Sequence, residues 1–190
     1  MGYFVKMESE RLILRHWMEA DAPALFEIAR EPLVGPPCGW PCHKSADESL
    51  NVIKTILTNN PDEDAYAIIR KSDGALMGNV SLHRDTLRKN SKVMALGYYL
   101  GSQYWHNGYM HEACMRLMQY GFEELRLDAV SAEHFSFNAK SRKVIERLGF
   151  TLTGHIPHYG TSPDGRETDL MIYILKKDDF FRIQCYSPLP

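Results

Sequence analysis

The chain has 190 residues, of which 44% are hydrophobic and 24% charged, and a formal net charge of −2 at pH 7. This balance fits one globular domain over residues 1–190, and the interspersed acids and bases argue against a nucleic-acid-binding surface. No charged start leads into an apolar leader, and no apolar run approaches the ~18 residues of a spanning helix, so a soluble, cytoplasmic protein without a membrane partner is expected.

RLILRHW (Arg11 to Trp17) alternates apolar and polar residues and predicts a strand. Ala20 to Arg30 predicts a helix with Leu25, Phe26, Ile28 and Ala29 on its face, Asp21 as its cap and Pro32 closing it. After the loop LVGPPCGWPCHKS, a second helix is expected from Ser45 to about Thr58, stopped by Asn59, Asn60 and Pro61. Ala65 to Lys71, a Ser72-Asp73-Gly74 turn and Leu76 to Arg84 form a hairpin, and Val93 to Leu100 adds a third strand. Apolar residues at 110, 113, 114, 117, 118, 122 and 125 predict the clearest helix, from Met110 to Leu125. Leu127 to His134 reads as a strand, Asn138 to Leu148 as a helix stopped at Gly149, and FTLTGHI and TDLMIYIL as two closing strands. The order implies an α/β (α+β) fold with a mixed, mainly antiparallel twisted sheet of about seven strands, about four helices and one strand-helix-strand crossover.

The four cysteines, at 38, 42, 114 and 185, are too sparse for a disulfide scaffold and fit a reducing compartment. Cys38, Cys42 and His43 could be read as metal ligands, but no second Cys/His pair follows at zinc spacing, so no metal is expected. Cys114 falls on the apolar face of the long helix, as a packed thiol does.

Gly108 stands just before that helix. The unpaired N–H groups and positive dipole end of a helix favour an anion, and a glycine there lets a ligand approach the backbone; the same glycine could equally serve only to turn the chain. Neither a P-loop nor a dinucleotide-binding glycine pattern occurs.

The run from Gly97 to Gly154, with its W-x-x-G-Y-x-x-E-A and N-x-x-S-x-x-x-x-x-x-L-G-F motifs, resembles the cofactor-binding half of the GNAT N-acetyltransferases. Within that superfamily it is similar to the RimJ/RimL branch, which acetylates N-terminal amines of ribosomal proteins, and ERLILR near the start shares that likeness. The resemblance implies acetyl-CoA as co-substrate, no metal, and a sheet splayed between its fourth and fifth strands. Trp105, His106, Asn107, Gly108, Tyr109, Met110 and His111 would form the pyrophosphate loop, with Trp105 at the family's Gln/Arg position and Met110 where a small residue is usual. Leu96, Tyr98 and Leu100 would offer backbone groups to the pantetheine arm, with Tyr98 or Tyr99 walling the slot. Asn138 would hold the same arm, and Ser141 would serve the departing sulfur, since Ile145 stands where many members carry a tyrosine. For Asn138 and Ser141 the alternative is an ordinary helix cap and its partner.

The implied reaction is attack of a primary amine on a thioester, which needs a base at neutral pH because amines titrate near ~8 to ~10.4. Glu133 is the first choice as base; His134, His83, His43, His155 and His158 are the other candidates, and Glu112 reads as complementing the helix dipole. Trp40, His43, His83, His158 and Tyr159 could face the acceptor, from VGPPCGWPCHKS and the loop HIPHYGTSPDGRET. A small-molecule or a peptide or protein amine remains open, as do a non-catalytic acyl-CoA-binding module, a zinc hydrolase built on Cys38, Cys42 and His43, and a monomer or a homodimer. The tail FFRIQCYSPLP would cover either a neighbour or its own sheet.

Overall fold

The computed structural model describes residues 5–60 and 62–186. Pro61, residues 187–190 and the Cys185 side chain, on which parts of the predicted helix stop and tail fall, lie outside the described residues. Eight strands form one sheet: β1 (Met7–Glu8), β2 (Leu12–His16), β3 (Glu63–Arg70), β4 (Leu76–Arg84), β5 (Val93–Leu100), β6 (Ala129–Phe135), β7 (Thr151–Thr161) and β8 (Glu167–Lys176). Their order is β1-β2-β3-β4-β5-β6-β8-β7, with every pair antiparallel except β5 and β6. Five α-helices flank it: α1 (Ala22–Ala29), α2 (Ala46–Val52), α3 (Tyr109–Glu123), α4 (Ala139–Arg147) and α5 (Lys177–Tyr186). The expected seven strands and four helices are therefore corrected to eight and five, the additions being β1 and α5.

Alternation along the strands builds a core on each face. On one, Leu14, Tyr66, Val80, Leu96 and Val130 pack against Cys114, Leu117 and Phe122 of α3 and Ile145 of α4. On the other, Ala65, Ala67 and Ile69 meet Trp17, Leu25, Ala29 and Ile53. The crossover β5-α3-β6 makes β5 and β6 the parallel pair among the described strands.

Three local expectations change. Asp21 stands at the N-cap of α1, but its side chain makes no capping bond; it forms a fork with Arg15 at 2.7 and 2.8 Å and accepts the Met18 N–H at 2.9 Å, fastening the 3-10 turn that precedes the helix. The Ser45 helix starts as expected, with the Ser45 hydroxyl accepting the Glu48 N–H, but widens to π geometry over Ile53–Leu57. There Thr58 Oγ1 and Asn59 Nδ2 donate to the carbonyls of Ile53 and Lys54, competing with the helical ladder.

The third concerns the tail, whose helical part covers its own sheet. Phe180 is 0% exposed, with its ring 4.9 Å from that of Phe122 on α3. Phe180→Ala is expected to lower unfolding free energy by about 3–5 kcal/mol, as other buried Phe truncations do; urea unfolding of the two proteins reads this directly, and a difference below about 1 kcal/mol would mean the site collapses around the cavity.

Candidate active site

β5 and β6 pair only from Val93–Ala129 to Leu96–Ala132, and beyond that point they diverge. A cleft of about 1370 Å³ passes through the gap. Tyr98, Ser141 and Val144 line it on the α3 and α4 side, while Trp40, Tyr99 and Glu133 line it on the α1 and α2 side. Of the three β5 positions expected to offer backbone groups, Leu96 is still paired with β6 and the Leu100 carbonyl accepts the Trp105 indole N–H at 2.8 Å. The Tyr98 carbonyl has the Cys38 thiol at 3.9 Å as its side-chain neighbour among the described residues.

At one end of the cleft lies the N-terminus of α3. Gly108 has φ +78°, and the first helical bond runs from the Glu112 N–H to the Gly108 carbonyl at 3.1 Å. The N–H groups of Tyr109, Met110 and His111 therefore have no acceptor within the helix. A Cβ at Gly108 would meet only Arg11 Nη2 among the described residues, at 3.5 Å, and Gly108, Tyr109, Met110 and His111 all line the cleft. The loop is braced from outside: Arg11 Nη1 donates to the Asn107 carbonyl at 3.0 Å, and Asn107 Nδ2 donates to the Trp105 carbonyl at 2.8 Å. Asn107 does not line the cleft.

Glu112, read from the sequence as a dipole partner, proves to be a tether. It accepts from Ser9 Oγ at 2.7 Å and from the Arg11 N–H and Nε at 2.8 and 2.7 Å. Burial would raise its carboxyl, but these donors outweigh burial and hold it below the usual range. Met110 is 8% exposed and packs its sulfur 3.6 Å from Cys114, so the large residue at this position goes into the core and leaves the loop free.

Three cations near this end escaped the sequence reading. Lys140, Lys143 and Arg147 line the cleft from α4 at helical spacing, and none forms an ion pair among the described residues. The Lys140 ammonium stands 3.7 Å above the Trp105 ring, beside the loop, with His106 and His111 at the same end. Their spacing was the available signal, since residues three and seven apart share a helix face.

In the middle of the cleft, Tyr98 OH lies 2.8 Å from Ser141 Oγ and 3.2 Å from the Ser141 carbonyl, and its one proton can go to either. Burial pushes the Tyr98 phenol well above its ordinary range, so it stays protonated. Tyr99 turns the other way and meets the Trp40 ring edge-on at 5.5 Å. Asn138 caps α4 by accepting the Ser141 N–H at 3.1 Å, and its Nδ2 donates to the Pro37 carbonyl at 3.0 Å. Ile145 is fully buried in the core.

At the far end stands Glu133, half-buried, with no hydrogen bond to its carboxylate among the described residues. Burial, then the nearby Asp85 charge, raise its carboxyl above the usual range despite His83 and Arg88. Asp85 is fixed by the N–H groups of Leu87 and Arg88, the Arg88 guanidinium at 2.8 Å and Ser131 Oγ at 2.7 Å.

His134 lines the cleft from the α3 and α4 side, with Nδ1 at 2.8 Å from the Phe135 carbonyl and Nε2 at 3.2 Å from Tyr173 OH, and burial lowers its basicity. His43 lines the cleft with Nδ1 at 2.8 Å from Ser49 Oγ, and burial lowers its basicity.

Tyr159, His155 and His158 do not line the cleft. The loop assigned to them is largely strand, part of the β7–β8 ribbon, and Tyr159 is 51% exposed with its ring 6.5 Å from Phe135. Among the described residues no three His, Cys, Asp or Glu side chains are placed to hold a metal ion.

Residues 11–151 match the acetyltransferase (GNAT) domain family. YoaA of Bacillus subtilis (strain 168), named an uncharacterized N-acetyltransferase, is 26% identical over 176 residues, covering 92% of this chain and 98% of its own. YdaF of the same organism, named provisionally as a ribosomal N-acetyltransferase, is 35% identical over 108 residues, 57% of each chain. The crystal structure of RimL, a ribosomal L7/L12 α-N-protein acetyltransferase, superposes with a TM-score of 0.76 at 20% identity, covering 92% of this chain and 96% of that one. With the family's domain spanning most of the sequence and the splayed sheet that it predicts in place, the chain belongs to the GNAT acetyltransferases, resembles their RimJ/RimL-like members, and is an acyltransferase.

Proposed function

We propose that the chain transfers an acetyl group from acetyl-CoA to a primary amine, either a peptide N-terminus or a small molecule. The observation that carries this reading is the arrangement along one cleft: free helix amides and unpaired cations at one end, a hydroxyl pair in the middle, and an unbonded, raised carboxylate at the other. Such an order suits a long ligand with a polyanionic head and a reactive tail.

Acetyl-CoA supplies an activated acetyl thioester. The amides of Tyr109 to His111, with Lys140, Lys143 and Arg147, would hold its phosphates, because the dipole end and the lysines both favour negative charge. The Tyr98 carbonyl and the second N–H of Asn138 Nδ2 would meet its amide-bearing arm. Ser141 Oγ, when it accepts the Tyr98 hydroxyl proton, would be free to give its own where sulfur charge develops. Glu133 would take a proton from the amine, a role for which a raised carboxyl is better matched to neutral pH than an ordinary one.

The double change Lys140→Ala and Lys143→Ala tests the polarity of this assignment. Affinity for acetyl-CoA is expected to fall roughly tenfold, at about 0.5–1 kcal/mol per exposed charge, and to depend less steeply on salt. Equal affinity and equal salt dependence in titrations of both proteins would place the phosphates elsewhere.

A further inference from the structure

We infer that residues 36–39 form a strap across the splay, latched by Asn138, which couples the placement of the Trp40 wall to occupancy of the cofactor half. What fills that half rests on the acetyltransferase reading, whereas the latch is a feature of the chain alone. In Gly35-Pro36-Pro37-Cys38-Gly39 two prolines stiffen a 3-10 turn, Pro36–Cys38, between two glycines. Gly39 has φ +91°, and a Cβ at Gly35 would stand 2.7 Å from the Trp40 ring, so both ends need glycine. The base of the strap belongs to the α1 and α2 half. There the Cys38 and Trp40 N–H groups donate to the Gly35 carbonyl at 2.8 and 3.2 Å, and the His43 N–H donates to the Ala29 carbonyl at 3.1 Å.

The strap touches both strands that diverge. The Cys38 thiol lies 3.9 Å from the carbonyl of Tyr98 on β5. A Cβ at Gly39 would stand 3.5 Å from the ring of Phe135, at the end of β6. Asn138, which opens α4, donates from Nδ2 to the Pro37 carbonyl at 3.0 Å. All three contacts lie beyond Leu96–Ala132, the last β5–β6 pair, where no ladder of their own joins those strands.

The Asn138 carboxamide is fixed in sense, because its Oδ1 accepts the Ser141 N–H at 3.1 Å and Nδ2 is thereby the group that faces Pro37. One N–H of Nδ2 meets the strap and the other remains. An acceptor group on the acetyl-CoA arm that takes the second N–H holds the carboxamide in the orientation that latches the strap, and a closed strap holds it in orientation for the arm. Whatever the arm gains from a closed strap, the strap gains from a bound arm. Trp40, one residue past the strap and with its ring 5.5 Å from that of Tyr99, moves with it, so the acceptor side of the cleft is complete when the donor is in place.

The test is hydrogen exchange at the Cys38, Gly39 and Trp40 amides, read beside acetyl-CoA titrations. In Asn138→Asp the carboxylate still accepts the Ser141 N–H and keeps the cap, but it has no N–H for Pro37. Ligand-free Asn138→Asp is expected to exchange these amides faster by roughly threefold or more, the net worth of one hydrogen bond, with α4 unchanged. Saturating acetyl-CoA should slow them by roughly threefold or more in the wild type. In Gly39→Ala, strained at its positive φ so that the strap is unseated, exchange should no longer respond to acetyl-CoA, and acetyl-CoA affinity should fall by about that same factor. Exchange that ignores Asn138→Asp, or that rises equally in α4, would overturn the latch. Exchange that ignores acetyl-CoA bound to the wild type would overturn the coupling, and either result leaves the acetyltransferase reading standing. Wild-type protein that binds no acetyl-CoA would overturn that reading and the coupling together, with the latch decided by the ligand-free comparison.

Discussion

Glu133→Gln is expected to lower kcat at pH 7 by roughly 10² to 10⁴, the usual worth of a positioned general base, with KM for acetyl-CoA nearly unchanged. The substitution keeps the shape and removes only the proton acceptor. The pH profile adds a sign. Burial and the Asp85 charge raise the Glu133 carboxyl, so in the wild type the base is present above that raised pKa and is lost as pH falls through it. The acidic limb of kcat should therefore lie above the ordinary carboxylate range of about 4.3. In the variant that limb should disappear, leaving a rate that climbs with pH as the amine deprotonates by itself. A variant that keeps wild-type kcat and its acidic limb would move the base to another residue.

Much of this site is local in the chain and could be read there. Gly108 before an amphipathic helix, and Asn138 three residues before Ser141, sit where backbone geometry and capping rules make them visible. The groups that give those residues a chemical setting are distant in sequence. Tyr98 reaches Ser141 across 43 positions, Ser131 reaches Asp85 across 46, and Arg11 reaches Glu112 across 101. Only the folded sheet brings them together, so no spacing rule announces them. The fold errors have the same origin. α5 carries two acids in its first turn, Asp178 and Asp179, and owes its place to Phe180 packing on Phe122. β7 contains Pro157, two glycines and a residue at positive φ, His158, all of which read as loop, yet its pairing with β8 prevails.

The second large effect separates the two uses of Gly108. At φ +78° a β-branched residue is strained, and relieving that strain would shift the open amides of α3. Gly108→Val should raise KM for acetyl-CoA by more than tenfold. Gly108→Asn is the informative partner, because asparagine tolerates the left-handed region while still adding a side chain. If the glycine only turns the chain, the asparagine variant keeps both its stability and its KM. If the glycine admits a diphosphate, that variant melts within a few degrees of the wild type yet shows a KM raised several-fold. The cleft geometry predicts the second outcome.

Calorimetric titration of acetyl-CoA into the wild-type protein bears most directly on the central claim, that this cleft is an acetyl-CoA site polarised from the α3 amides to Glu133. One site per chain in the micromolar range is predicted, weakened by Asn138→Ala and by Gly108→Asn and little changed by Glu133→Gln. A folded protein that takes up no acetyl-CoA, or one whose affinity ignores both Asn138 and Gly108, would contradict it.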